Sequence, residues 1–190
     1  MKILVVDGSN RNGGNSCMAI SMLERALAEH EVKSLTLRQS DCRFCLACDA
    51  CQEREGLFCV QKDDITELLP FLSICDAVVI ASPIYDHRIS SRVELFFERL
   101  YAMTDMRNGQ DCLAEKKNKK VALLLSCFSG SQDVYRKYAE SLIRDCLWQI
   151  SAGQYRVRVF GGMMGREFAN HPEYIQQLSE IADWLKEGNV

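Results

Sequence analysis

Lys2–Val6 is almost wholly apolar and runs into Asp7-Gly8. A short unbroken apolar run of this kind marks a strand covered on both faces, as in a parallel sheet. From Asn15 to His30 the spacing turns helical, with Met18, Ile20, Leu23, Ala26 and Leu27 on one stripe. Glu31–Leu37 is a second strand candidate, followed by an aperiodic stretch from Arg38 to Gln61. Asp63–Cys75 reads as a helix with Asp63 and Asp64 in its first turn, where the macrodipole favours acids. Pro70 is expected to bend or interrupt it. Ala77–Ala81 (AVVIA) is a third buried strand, and the polar segment SPIYDHRISS reads as the loop after it. A helix is expected from Arg92 to Met103 and a fourth strand at Lys120–Ser126. Gln132–Ile150 reads as a helix with Tyr135, Tyr138, Ala139, Leu142 and Cys146 on one side. Tyr155–Phe160 is the fifth strand. Asn170 is the expected cap of a last helix reaching Lys186, with Pro172 in its first turn.

Strands and helices alternate five times in this pattern. Such alternation predicts an α/β fold, a parallel sheet with helices on both faces. Five strands with right-handed crossovers suit the flavodoxin-like order 2-1-3-4-5, a three-layer α/β/α sandwich. Residues 1–190 are expected to form a single domain, with a Cys-rich loop insertion at about 38–61. That insertion is longer than an ordinary connection, which points to a functional loop.

Composition narrows the function. Lys+Arg is 23 and Asp+Glu 26, a formal net charge of −3, and no basic stripe offers nucleic acid a footing. No apolar run approaches the roughly 20 residues that span a bilayer. The apolar stretch at Ile3–Val6 is too short for a signal-peptide core, so the protein is expected in the cytoplasm, away from membranes. The ten cysteines are then poor candidates for a disulfide framework. Cys17, Cys75, Cys112, Cys127 and Cys146 are scattered and read as small core hydrophobes. Cys42, Cys45, Cys48, Cys51 and Cys59 crowd into the aperiodic loop.

In an open α/β sheet, ligands bind beyond the carboxyl ends of the strands. Three loops should emerge there: Gly8–Ser16, Ser82–Ser90 and Ser126–Ser131. The first reads GSNRNGGNS. Gly8, Gly13 and Gly14 let backbone N–H groups approach an anion. Ser9, Asn10, Asn15 and Ser16 add neutral side-chain donors, Arg11 adds one charge, and the helix start adds a dipole. So little positive charge suits a monophosphate better than a triphosphate. Gly13 is followed by Gly14-Asn15 rather than Lys-Ser, which excludes a Walker loop, and no G-x-G-x-x-G fingerprint is present.

Gly8–Ser16 resembles the FMN-phosphate loop of the NADPH-dependent FMN reductase superfamily, whose members are flavodoxin-like. Ser82-Pro83-Ile84-Tyr85 resembles the S-P-x-Y segment that lies along the isoalloxazine ring in that family. Phe96-Phe97-Glu98-Arg99 resembles its F-x-D-R stretch, with Glu98 in place of Asp, and Glu94 stands where the family often has Lys. The resemblance implies FMN held by Ser9, Arg11, Gly14, Asn15, Ser16, Pro83, Ile84, Tyr85, Asp86, His87, Phe128 and Ser129. The third loop, Ser126-Cys127-Phe128-Ser129-Gly130, matches only in position and small-residue content. His87 could bond the ring or a substrate, or simply face solvent.

Cys45, Cys48 and Cys51 are spaced C-x2-C-x2-C, with Cys59 after seven more residues. The run is that of bacterial ferredoxins without the trailing proline, whereas zinc sites usually use two separated pairs. Within the superfamily the loop resembles the iron-sulfur flavoproteins, whose compact cysteine motif binds a 4Fe–4S cluster. That resemblance implies Cys45, Cys48, Cys51 and Cys59 as metal ligands. Cys59-Val60-Gln61-Lys62-Asp63-Asp64 resembles the family's C-x-x-x-D-D and supports this set over one including Cys42. Cluster-free relatives with a C-x-x-C-x-x-x-x-C loop, and a redox-active disulfide, are the alternatives.

The implied activity is that of an FMN-dependent oxidoreductase passing electrons between a donor, ferredoxin or NAD(P)H, and a small acceptor. The alternative is a cluster-free NAD(P)H-dependent FMN or quinone reductase. No side chain is singled out as a catalytic acid or base. A homodimer or homotetramer is expected.

Overall fold

The computed structural model describes residues 1–107, 109, 111–128, 132–164 and 168–187. In chain order its elements are β1 (Lys2–Asp7), α1 (Asn15–Ala26), β2 (Glu31–Thr36), α2 (Asp64–Ile74), β3 (Ala77–Tyr85), β4 (Arg88–Ile89), α3 (Ser91–Arg99), β5 (Thr104–Asp105), β6 (Asp111–Cys112), β7 (Lys119–Ser126), α4 (Gln132–Cys146), β8 (Ala152–Phe160) and α5 (Pro172–Lys186). Five strands pair in parallel in the order β2-β1-β3-β7-β8. This is the expected 2-1-3-4-5 sheet of a flavodoxin-like fold.

The apolar runs are explained by a core on each face. Along β1, Leu4 and Val6 join Val78, Ile80, Val121 and Leu123 beneath α2, α3 and α4. Ile3 and Val5 point the other way and join Val79, Ala81, Ala122 and Leu124 beneath α1 and α5. Successive side chains alternate across a strand, so a central strand with both faces covered must be apolar throughout.

The same alternation explains two fully buried lysines. Lys119 Nζ donates to the carbonyls of Ser73 and Lys116, on the α2 side. Lys120 Nζ donates to the carbonyls of Trp184 (2.7 Å) and Glu187 (2.6 Å) at the end of α5, and lies over the Trp184 ring. Adjacent lysines thus meet carbonyls at the C-terminal ends of helices on opposite faces, where cations are favoured. Burial lowers the Lys119 pKa.

Four local expectations are corrected. Helix α2 runs through Pro70, which sits on its exposed side, where water can reach the carbonyl the missing N–H would have bonded. Strand β3 continues past Ala81 to Tyr85 and turns into an antiparallel hairpin with β4, so most of SPIYDHRISS is strand and turn rather than loop. The helices at Arg92–Met103 and Gln132–Ile150 end earlier, at Arg99 and Cys146, each followed by a single 3-10 turn. His171, not Asn170, is the residue before α5.

Candidate functional site

All five parallel strands present their carboxyl ends along one edge, and the chain ties the three loops there together. The Gly8 amide donates to the Ala81 carbonyl at 2.8 Å. Ser90 Oγ donates to the Gly8 carbonyl at 2.7 Å, and the Ser90 amide donates to Ser82 Oγ at 2.9 Å. A Cβ at Gly8 would lie 2.2 Å from Val93 Cγ2, so only glycine lets β1 pass this close to α3. Ser16 Oγ and Ser126 Oγ share a buried hydrogen bond of 2.7 Å, joining the first loop to the third. Asn15 Oδ1 accepts from the Phe168 amide at 3.1 Å.

Between these loops lies an open cavity of about 550 Å³. It is lined by Ser9, Arg11, Gly14, Asn15, Ser16, Pro83, Ile84, Tyr85, Ser126, Cys127, Phe128 and Met163. Nine of the sequence-derived candidates thus converge. Asp86 and His87 instead form the hairpin tip, both with positive φ (45° and 64°), a left-handed pair that non-glycine residues adopt at a cost. His87 Nδ1 shares a 3.0 Å hydrogen bond with the Tyr135 hydroxyl and stacks on its ring. Ser129 lies outside the described residues. Ser126 and Cys127 were legible only as part of a third loop, and Met163 carried no signal in the sequence.

The polar end of the cavity has the features an anion site would need. Helix α1 starts at Gly14 with no side-chain cap and no acid in its first turn. A Cβ at Gly14 would sit 3.1 Å from Ser9 Oγ, so the backbone stays bare there. Two arginines hold the loop from outside: Arg38 Nε donates to Asn12 Oδ1 at 2.7 Å and Arg92 Nε to Asn10 Oδ1 at 2.9 Å. Arg38 also pairs with the buried Asp7, whose other oxygen accepts the Ser9 amide at 2.9 Å. Neither arginine was picked out from the sequence, because each reaches the loop from a distant element. The other end of the cavity, with Pro83, Ile84, Tyr85, Phe128 and Met163, is apolar and large enough for a flat ring system.

Four of the cysteines line a second cavity. Cys45, Cys48, Cys51 and Cys59 line one small cavity of about 30 Å³, together with Asp49, Glu98, Arg99 and Tyr101. Among the described residues no three His, Cys, Asp or Glu side chains stand close enough together to hold a metal ion. The residue types nevertheless suit a thiolate-bound cluster, since four cysteines line one space. The loop coils through left-handed residues between its cysteines, at Ala47 (φ 49°) and Asp49 (φ 53°). N–H groups already face the sulfurs: the Ala47 amide with Cys45 Sγ at 3.5 Å and Gln52 Nε2 with Cys51 Sγ at 3.6 Å. Cys42 is outside this cavity and packs against the core. Burial, with Asp63 and Asp64, pushes its thiol up to about 11, against the pull of Arg99.

Fold and site together define a flavodoxin-like α/β protein with a glycine-rich first loop and a ring-sized cavity beside it. The chain matches the NADPH-dependent FMN reductase family over residues 1–146 and belongs to that family. It is 32% identical over 105 residues to an iron-sulfur flavoprotein of Archaeoglobus fulgidus, a match covering 53% of this chain and 46% of that one. It is 29% identical over 101 residues to an iron-sulfur flavoprotein of Methanocaldococcus jannaschii, covering 52% and 51%. The chain spans about half the length of the curated relatives it matches. Among solved structures, an NAD(P)H:quinone oxidoreductase from Methanothermobacter marburgensis superposes with a TM-score of 0.78 at 14% identity, covering 98% of this chain and 99% of that one. An FMN-dependent NADH-azoreductase from Bacillus anthracis gives 0.71 at 12% identity, covering 98% and 100%. At these identities the likeness is one of fold.

Proposed function

We propose that this chain is an FMN-dependent oxidoreductase of the iron-sulfur flavoprotein kind, passing electrons between ferredoxin or NAD(P)H and a small acceptor. The observation that carries this reading is the uncapped, acid-free start of α1 opening onto the apolar cavity of Pro83, Ile84, Tyr85 and Phe128. Bound FMN supplies hydride and single-electron chemistry, and a bound 4Fe–4S cluster supplies single-electron transfer.

The residues divide the work. Backbone amides at Asn15 and Ser16, with the Ser9 hydroxyl and Arg11, receive the phosphate. Asn10 and Asn12, held by Arg92 and Arg38, keep the loop in shape. Pro83, Ile84 and Tyr85 offer the ring an apolar wall, and Phe128 and Met163 cover it. Asp86 and His87, at the hairpin tip that follows Tyr85, are proposed to meet the acceptor. Ser129 is proposed to join Phe128 in binding FMN. Cys45, Cys48, Cys51 and Cys59 hold the cluster. The exposed Tyr85 and Phe128 (61%), which line the cavity, suit burial in a homodimer or homotetramer. No helix among the described residues is long and apolar enough to cross a membrane.

A second reading, a cluster-free NAD(P)H-dependent FMN or quinone reductase, draws on the exposure of Cys45 and Cys48. Iron and sulfide analysis of protein purified under nitrogen separates the two. Wild type should carry about four irons per cluster-loaded chain, and Cys48→Ala should lose them while keeping its FMN. Iron content unchanged in Cys48→Ala would remove that cysteine from the ligand set. Iron-free wild type with NAD(P)H-quinone turnover would establish the second reading.

A further inference from the structure

Arg99 ends α3 and is 2% exposed. Its guanidinium pairs with Asp63, whose side chain is wholly buried. It also donates from Nη1 to the Arg43 carbonyl at 2.8 Å and from Nη2 to the Thr66 hydroxyl at 2.8 Å. One further contact is not needed to satisfy either ion: Nη2 faces Cys59 Sγ at 3.3 Å. The other N–H groups facing cysteines of this cavity, from Ala47 and Gln52, are neutral and more distant. Asp49 and Glu98 also line the cavity, and Arg99 is its cationic lining residue.

We propose that Arg99 is a positioning residue that sets the electron affinity of the iron-sulfur cluster through Cys59, by fixing a buried positive charge against that ligand's sulfur. The inference rests on the cluster reading above. Uptake of one electron adds one negative charge to the thiolate-held group, with no bond broken and no leaving group. A hydrogen bond from a charged donor is roughly twice as strong as a neutral one, and such contacts to ligand sulfur tune cluster potentials. Arg99 therefore favours the reduced state, against the acids Asp49 and Glu98. Because α3 starts at Ser90, bonded to the phosphate loop, and ends at Arg99, one helix connects both centres.

The test is a dithionite titration of anaerobically purified protein, with the cluster followed by electron paramagnetic resonance and the flavin by absorbance. The double variant Asp63→Asn/Arg99→Gln replaces the ion pair with a neutral pair. Its cluster should be at least tenfold harder to reduce, which is about 59 mV for a one-electron couple, with the flavin potential unchanged. Arg99→Gln alone leaves Asp63 uncompensated and should lower the cluster potential further, giving a second readout if the double variant folds poorly. Arg99→Lys keeps the charge and should stay within about threefold of wild type. An unchanged potential in an iron-replete neutral variant would overturn the proposal. Loss of iron from all three variants, with normal melting and FMN content, would make Arg99 a mere tether and overturn it as well. Iron-free wild type would instead sink the cluster reading itself, and the proposal with it.

Discussion

Helices α1 and α2 both begin at the edge where the parallel strands end, yet their first turns are opposites. Helix α2 starts at Asp63, whose carboxylate accepts the Thr66 amide at 3.0 Å, and carries Asp64 and Glu67 in its first turn. Helix α1 starts at Gly14, with neither cap nor acid. A helix start leaves orphan N–H groups and a partial positive charge. In α2 the chain's own carboxylates satisfy that end. In α1 it is left for something else, and the first turn instead buries Asn15 and Ser16 beside a cavity. The contrast sets a helix start that serves stability against one that we propose serves binding.

Interchanging these chemistries should therefore have separable effects. Asp63→Ala strips α2 of its cap and leaves the Arg99 guanidinium buried without its partner. It should destabilise the fold by about 3–5 kcal/mol while leaving FMN affinity at pH 7 within about twofold. Urea unfolding and flavin titration of the same preparation check both halves.

Ser16→Asp does the reverse, placing an acid in the first turn of α1 where the phosphate would bind. FMN affinity should fall by about 100-fold or more, near 2.7 kcal/mol, as read by flavin content after gel filtration. Unchanged flavin content would show that the phosphate is held elsewhere.

Acid should reproduce part of the Asp63 effect. Burial alone would raise the Asp63 pKa, but hydrogen bonds from Arg99, the Thr66 and Arg43 amides and the Thr66 hydroxyl outweigh it and hold it at about 2. A carboxyl with a depressed folded pKa stabilises the fold above its ordinary pKa of 3.8 and loses that contribution as pH falls toward 2. The loss should amount to about 2 kcal/mol. The melting-temperature gap between wild type and Asp63→Ala should be constant above about pH 5 and narrow below pH 4. A gap independent of pH down to 2 would mean the carboxylate contributes nothing as an ion.

How legible these features were in the sequence depends on how local their physics is. The strand runs and helical stripes depend on neighbours within a turn or two, and the 2-1-3-4-5 sheet followed from them. The proposed phosphate loop stood out because its glycines and hydroxylic residues are consecutive. The hairpin at Tyr85–Arg88 was not, because Ser82-Pro83 has the composition of a loop. Only its register against β7, with Pro83 opposite Ser126, reveals the extended strand. Arg38 and Arg92 were missed for a different reason. Nothing in their own surroundings distinguishes them from solvated charges until the fold brings them to Asn12 and Asn10. Arg99 was visible as part of an F-x-D-R-like stretch, but its sulfur contact lies 40 positions away in the chain. The cysteine spacing pointed to one centre; Cys45, Cys48, Cys51 and Cys59 line one cavity with Cys42 set apart, while no three His, Cys, Asp or Glu side chains among the described residues stand close enough together to hold a metal ion.

We propose that the start of α1 grips a phosphate while Pro83–Tyr85 carries the ring. FMN and riboflavin share the ring and differ in the phosphate, so fluorescence titration of cofactor-stripped protein with each isolates that end of the site. The account predicts FMN binding about 100-fold tighter than riboflavin, with the advantage lost in Ser16→Asp; equal affinities for the two flavins in the wild-type protein would contradict it.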